Sequence, residues 1–201
     1  MGVYFMNQIL QTSPKAISKK QLLKLQFIIS VFLLIIILVI WGSIKYINNI
    51  AEESSKKIIN NYNISRLYNK GNSLYYTNDK IIGILDIPSI NITYPIFANY
   101  SDELLKISPC KFYGDINNNL CIAGHNYDNN KFFSKIYTLK NYDIVNFYDN
   151  NNIHYEYRVF ANYEVKTSDT SPIYDETSSQ ELTLITCNNF NDKRIIIKAK
   201  L

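Results

Sequence analysis

The chain is poor in the side chains that carry most enzymatic chemistry. Its 201 residues include two histidines, three arginines and three cysteines. Three cysteines allow at most one internal disulfide, which excludes a densely bridged scaffold and leaves one thiol over. No internal repeat is present, which argues against a solenoid. No Asp or Glu occurs among the first 24 positions. Those positions hold Lys15, Lys19, Lys20 and Lys24, and without these four the remaining 17 Lys and Arg balance all 17 Asp and Glu. The basic balance of the whole chain therefore reports one short flank and excludes a nucleic-acid surface.

What the chain does have is a long apolar run. Leu25 to Ile44 is 20 residues without a charge, and a helix of about that length crosses a hydrocarbon core of about 30 Å. Trp41 and Tyr46 stand at its far end, where amphipathic rings favour the interface. The lysine flank places the N-terminus in the cytoplasm and everything after the span outside. The apolar core of a cleavable signal peptide is shorter, about 7–15 residues, and ends at a small-residue site, whereas this one ends in Trp41-Gly42-Ser43-Ile44. The expected organisation is a cytoplasmic basic tail (1–24), a transmembrane signal anchor (25–44), a stalk or packed N-terminal helix (45–79) and a folded domain (80–201).

From Lys80 onward short strands dominate. Ile81–Ile87 stops at Pro88, and Ile92–Phe97 contains Pro95, which suits an edge. Ser101–Ile107 opens with an N-cap and two acidic residues, so it reads as a short helix. Asn119–Gly124 delivers His125 into a loop, Asn126–Asn130, and Phe132–Tyr137 reads as a helical turn. Tyr142–Tyr148 and Ile153–Val165 form a hairpin around Asp149-Asn150-Asn151-Asn152, the second strand alternating Ile153, Tyr155, Tyr157 and Val159 against His154, Glu156 and Arg158. A polar segment, 166–180, leads to the strands Glu181–Cys187 and Arg194–Lys200. About eight short strands with few helices predict a mainly β fold, a closed or nearly closed barrel.

The candidate chemistry follows from elimination. His154 alternates with charged residues on a polar strand face, whereas His125 leaves a strand for a loop. Arg66 lies in the 45–79 segment and Arg158 sits near Glu156. Arg194 follows Cys187 by seven residues, a spacing that brings the two together on adjacent antiparallel strands. Cys110 and Cys121 are either two buried thiols or one bridge, and Cys187 is available in both cases. A thiolate favoured by a nearby cation, an imidazole and a guanidinium suffice for acyl transfer.

These elements read Leu182-Thr183-Leu184-Ile185-Thr186-Cys187, Cys121-Ile122-Ala123-Gly124-His125-Asn126 and Lys193-Arg194-Ile195-Ile196-Ile197. Their order and content resemble the sortases, membrane-anchored cysteine transpeptidases of Gram-positive bacteria, from about Lys80 to Leu201. The resemblance implies a sortase-like closed β-barrel, with Cys187 as nucleophile, His125 as acid and base, and Arg194 holding substrate and oxyanion. Thr186 and Asn126 are candidate substrate-binding residues. It implies cleavage of an LPxTG-like sorting signal on exported surface proteins through a thioacyl intermediate. A peptidoglycan-precursor or pilin amine would resolve that intermediate. No metal or organic cofactor is expected, and the partners are the sorting-signal proteins, the amine acceptor and the membrane bilayer.

Rival readings fit less well. Papain-like peptidases place Cys before His, and the L,D-transpeptidases carry His close before Cys, neither of which holds here. The chain ends in Ile197-Lys198-Ala199-Lys200-Leu201 and so does not resemble a sortase substrate. The short step from Cys187 to Arg194 is unlike the housekeeping sortases, and the lack of an Asp-Pro-aromatic lid and of a second span is unlike the pilin-polymerising class. These features leave a compact class B, D or clostridial-type enzyme open, and the sequence does not fix the subclass. A non-catalytic membrane-tethered β-domain and a cysteine peptidase are the alternatives in function.

Overall fold

The structure, a computed structural model, describes residues 18–67, 74–76, 79–127, 130–174 and 180–201. The basic tail up to residue 17, positions 68–73 and 77–78 of the 45–79 segment, 128–129 of the loop after His125 and 175–179 of the polar connector lie outside the described residues. The chain divides into two compact units, Met1–Asn48 and Asn49–Leu201.

Helix α1 spans Lys19–Leu67. A reciprocal cap starts it: the Ser18 hydroxyl accepts from Gln21 N at 3.3 Å while the Gln21 side chain accepts from Ser18 N at 3.0 Å, which satisfies two donors that a helix start leaves unpaired. In the first unit its apolar side chains are bare. Phe27 and Ile37 are 71% and 65% exposed, a surface that water disfavours and lipid accepts. By length and composition it is the one helix among the described residues able to cross a membrane.

In the second unit α1 packs on the β-domain. Ile58 is buried with Ile81, Phe97, Leu104, Leu105 and Cys110. The Ser55 hydroxyl donates to the Ile107 carbonyl at 2.6 Å, and Glu52 pairs with Lys131 at 3.0 Å. These contacts fix this part of the helix against the β3–β4 connection and Lys131.

The strands are β1 (Leu74–Tyr76), β2 (Asp79–Ile87), β3 (Ile92–Phe97), β4 (Cys110–Tyr113), β5 (Asn119–Ala123), β6 (Ile144–Asp149), β7 (His154–Lys166), β8 (Glu181–Cys187) and β9 (Lys193–Lys200). The order β2-β3-β4-β5-β8-β9-β7-β6 closes through a further β2–β6 pairing, so eight strands make a barrel, and β1 adds to β2. The expected closed mainly β fold is therefore what forms. Pro95 sits in β3, which pairs with β4 only at Phe97↔Cys110, so its missing N–H costs no ladder bond there. Its carbonyl accepts instead from the Ser108 hydroxyl at 2.6 Å.

Two short helices punctuate the strands, α2 (Asp102–Leu105) and α3 (Ser171–Tyr174). Ser101 caps α2 by accepting from Leu104 N, as its sequence predicts. Phe132–Tyr137 differs from the expected turn: the helical part is a 3-10 turn at Ile136–Thr138, because Phe132 adopts a positive φ of 51° and bridges back to Asn126. Cys110–Tyr113 is a strand that periodicity did not announce, since Phe112 and Tyr113 are both exposed. Cys110 and Cys121 are both buried and form no disulfide.

The barrel interior collects the inward residues of every strand, among them Leu85, Ile122, Phe147, Tyr157, Leu184 and Ile197. Alternation sends Cys121, Ile185 and Ile196 to the outer face of β5, β8 and β9, where they pack with Val165 and with Ile173 of α3. That covered outer face leads to the thiol.

Candidate active site

Three neighbouring strands assemble the site. β5 runs parallel to β8 with one unbroken register, from Asn119↔Glu181 to Ala123↔Ile185, and Gly124 N extends the ladder to the Ile185 carbonyl at 3.0 Å. Continuing that register brings His125 level with Cys187. On the other side, β8 and β9 are antiparallel with Cys187 directly opposite Arg194, and Asn188 N closes the connection on the Lys193 carbonyl at 2.9 Å. The thiol thus stands on the middle strand, with the imidazole segment on one flank and the guanidinium strand on the other. Cys187 is exposed, and His125 and Arg194 are half-buried.

Three side chains brace this junction. Thr186, buried on the opposite face of β8, donates its hydroxyl to the Gly124 carbonyl at 2.7 Å. The Asn126 amide donates to the Cys187 carbonyl at 2.7 Å, and the Asn189 amide to the Asn126 carbonyl at 2.9 Å. Each bond joins the segment bearing His125 to the strand or loop bearing the thiol. Gly124 is required by packing, because a Cβ there would lie 2.7 Å from the ring of fully buried Phe133. Phe133 N in turn donates to the His125 carbonyl at 3.0 Å, so the ring that excludes a side chain at 124 also fixes the backbone at 125.

Burial holds the His125 imidazole below its ordinary pKa; the Asp102 carboxylate opposes that shift and the Lys106 ammonium adds to it. Partial desolvation penalises the imidazolium, so a smaller fraction is protonated at neutral pH than for a free imidazole. Its ring leans on Tyr127, with centroids 4.9 Å apart. Burial likewise raises the Tyr100 hydroxyl, Asp102 adds to this and Arg194 works against it, so Tyr100 stands within electrostatic reach of both the α2 start and the guanidinium.

Two clefts flank the strands. One is lined by Tyr100, Phe112, Pro172, Ile173, Ile185 and Arg194 among others, a largely apolar groove with the Arg194 side chain in its wall. The other is lined by Asn126, Tyr127, Glu164, Asn188 and Phe190 among others, and is more polar. Among the described residues no group of three or more His, Cys, Asp and Glu is placed to hold a metal ion.

The Sortase domain family matches residues 85–201, more than half of the sequence. The chain belongs to the sortase family. Solved sortase structures share its fold. It is 24% identical to sortase A of Listeria monocytogenes, covering 60% of this chain and 86% of that one with a TM-score of 0.55. It is 23% identical to a Clostridium perfringens sortase D5 transpeptidase, covering 76% and 98% with a TM-score of 0.59. It is 23% identical to sortase A of Corynebacterium diphtheriae, covering 61% of each with a TM-score of 0.56. No curated protein matches the chain.

Within this sortase fold the remaining candidates separate from the site. His154 shares Nε2 with the Asn146 amide oxygen at 2.8 Å and stacks on Tyr148 across β6 and β7. Arg158 pairs with Glu156 at 2.6 Å on the surface. The residues that sequence reading missed are Tyr100, which lines the apolar groove, and Asp102 and Lys106, whose charges act on His125 from the β3–β4 connection. They lie more than fifteen positions before His125, and the one local pattern there, the N-cap and acidic first turn at Ser101–Glu103, marks a helix start and not a site, so only the fold brings them near.

Proposed function

We propose that this sortase is a cysteine transpeptidase acting on exported proteins that carry an LPxTG-like sorting signal. The observation that carries the reading is the register: Cys187 faces Arg194 across β8 and β9, and the β5–β8 register continues to His125. The Cys187 sulfur, as thiolate, attacks the carbonyl of the threonine-like residue. Arg194 stabilises the charge that develops on the carbonyl oxygen. As the C–N bond breaks, His125 as imidazolium gives its proton to the leaving amine, and a thioester on Cys187 remains. An incoming amine attacks the thioester, His125 takes the amine's proton, and thiolate leaves as the new amide forms. The depressed imidazolium population limits the rate and not the route, because thiolate and imidazolium need coexist only in a fraction of molecules.

In this reading Thr186 and Asn126 act by holding the two strand ends in register. The anchor is α1 with its N-terminus in the cytoplasm, the segments 1–24 and 25–44 being tail and span and 45–79 the connection to the domain 80–201, which lies outside. There it meets sorting-signal proteins as donors and a peptidoglycan-precursor or pilin amine as acceptor. The full-length protein in detergent micelles, given a sorting-signal peptide alone, should cleave it slowly between Thr and Gly. Adding an oligoglycine, diaminopimelate-type or lysine-bearing acceptor should divert the acyl group into a new amide with ping-pong kinetics. Cleavage that no amine diverts identifies a peptidase, and no cleavage of any sorting-signal peptide identifies a binding domain.

A further inference from the structure

Below the thiol the outer face of β5, β8 and β9 descends in rungs set by the registers: Cys187 with Arg194, then Ala123, Ile185 and Ile196, then Cys121, Thr183 and Lys198, then Asn119, Glu181 and Lys200. Of the two upper rungs, Arg194, Ala123, Ile185 and Ile196 line the apolar groove. The two lower ones hold a buried polar cluster that the transpeptidase chemistry does not use. Lys198 is 3% exposed and Glu181 7%, and they pair at 3.1 Å. Lysine and glutamate are almost never so buried unless paired, and burying the pair still costs desolvation. An apolar pair would close this layer without that cost.

The cluster is aimed at α3. The Lys198 ammonium donates to the Pro172 carbonyl at 3.3 Å, and the Asn119 amide donates to the carbonyls of Pro172 and Ile173 at 3.2 and 3.4 Å. The Asn119 oxygen accepts from the Thr183 hydroxyl at 2.6 Å, which fixes the amide orientation. A four-residue helix has no later turn to receive its carbonyls, so these side chains supply the partners. Pro172 and Ile173 also line the groove that Arg194 helps to wall. Their carbonyls are gripped from the sheet while the same residues form the groove wall.

We propose that Lys198, Glu181, Asn119 and Thr183 are positioning residues that clamp the α3 wall onto the sheet, and so set which side chains of the sorting signal, ahead of its threonine, the groove accepts. The proposal rests on the groove being the acyl-donor site. Lys198 lies four residues along β9 from Arg194, a distance of about 13 Å at strand spacing, so the cluster does not touch the reacting atoms.

The test uses the full-length protein in micelles and the double variant Lys198→Met/Glu181→Met, which replaces the ion pair by apolar side chains and strands neither charge. The double variant should keep the near-UV circular dichroism of the parent and its rate of Cys187 alkylation by iodoacetamide. KM for the preferred sorting-signal peptide should rise about tenfold with kcat little changed. Discrimination among peptides varied ahead of the threonine should shrink, and amide exchange across 171–174 should accelerate about tenfold. A folded double variant with the parent's KM, selectivity and exchange overturns the proposal. If the parent processes no sorting-signal peptide, the functional reading fails by itself, and exchange across 171–174 alone decides whether the clamp exists. If the double variant does not fold, Asn119→Ala, which removes the amide grip and leaves the ion pair, takes its place: raised KM, weaker selectivity and faster exchange support the clamp, and parent values in all three overturn it.

Discussion

Thr186→Val tests the brace between the thiol strand and the imidazole segment with little change of shape. Valine is close to isosteric with threonine, and Thr186 is 3% exposed, so the substitution removes one hydroxyl and little else. The bond lost is Thr186 Oγ1 to the Gly124 carbonyl at 2.7 Å. Its net worth is about 0.5–1.5 kcal/mol, and a carbonyl left short of a partner in a buried place adds about 1–3 kcal/mol at most. A loss of roughly 1–2 kcal/mol lowers the melting temperature of a domain this size by about 3–6 °C. Because Gly124 adjoins His125, turnover should fall with stability while KM for the peptide stays near the parent value. Thr186→Ser, which keeps the hydroxyl, should recover most of both. The assay is thermal melting by near-UV circular dichroism, alongside kcat and KM, on the full-length protein in micelles. Unchanged melting and turnover in Thr186→Val refute the brace, and a raised KM at parent stability means that the hydroxyl binds substrate.

Other outcomes follow from the same geometry. His125→Ala and Arg194→Ala should keep a cooperative melting transition yet lose about two to four orders of magnitude in turnover; loss of folding in Arg194→Ala would make its role structural. In a proton NMR titration the His125 ring should lose its proton at lower pH than free imidazole does, so its acid form declines as pH rises through that depressed value. Asp102→Asn should depress it further and Lys106→Met should relieve it, both effects shrinking with added salt; titration of His125 at or above the ordinary value contradicts the burial account. Protease added to intact protoplasts should degrade the domain beyond residue 45 and spare the N-terminal tail, and a protected domain reverses the orientation.

The parts of the fold that alternate were legible from the residues. Tyr157 and Val159 face the core, and Cys187 shares its strand face with Ile185, because a strand's period of two assigns faces without reference to partners. The thiol, imidazole and guanidinium were legible because rare residue types in a fixed order leave few assignments. What stayed hidden depends on packing between distant segments. The β4 strand exposes Phe112 and Tyr113, so no alternation marked it, and α3 lies in a stretch whose polarity reads as loop. Lys198 looks like surface charge between apolar neighbours, and only α3 folding over β9 buries it. Whether the chain after the span is a free stalk or a packed helix depends on one buried contact group around Ile58, which sequence left open.

Capture of the acyl intermediate tests the central claim most directly. The full-length protein, mixed with a sorting-signal peptide in the absence of any acceptor and quenched in acid, should gain the mass of the peptide fragment ending at its threonine acyl group. Proteolytic mapping should locate that mass on Cys187, and an added amine should remove it with matching formation of the amide product. Turnover in Cys187→Ala, or a fragment carried by any residue other than Cys187, would contradict the account.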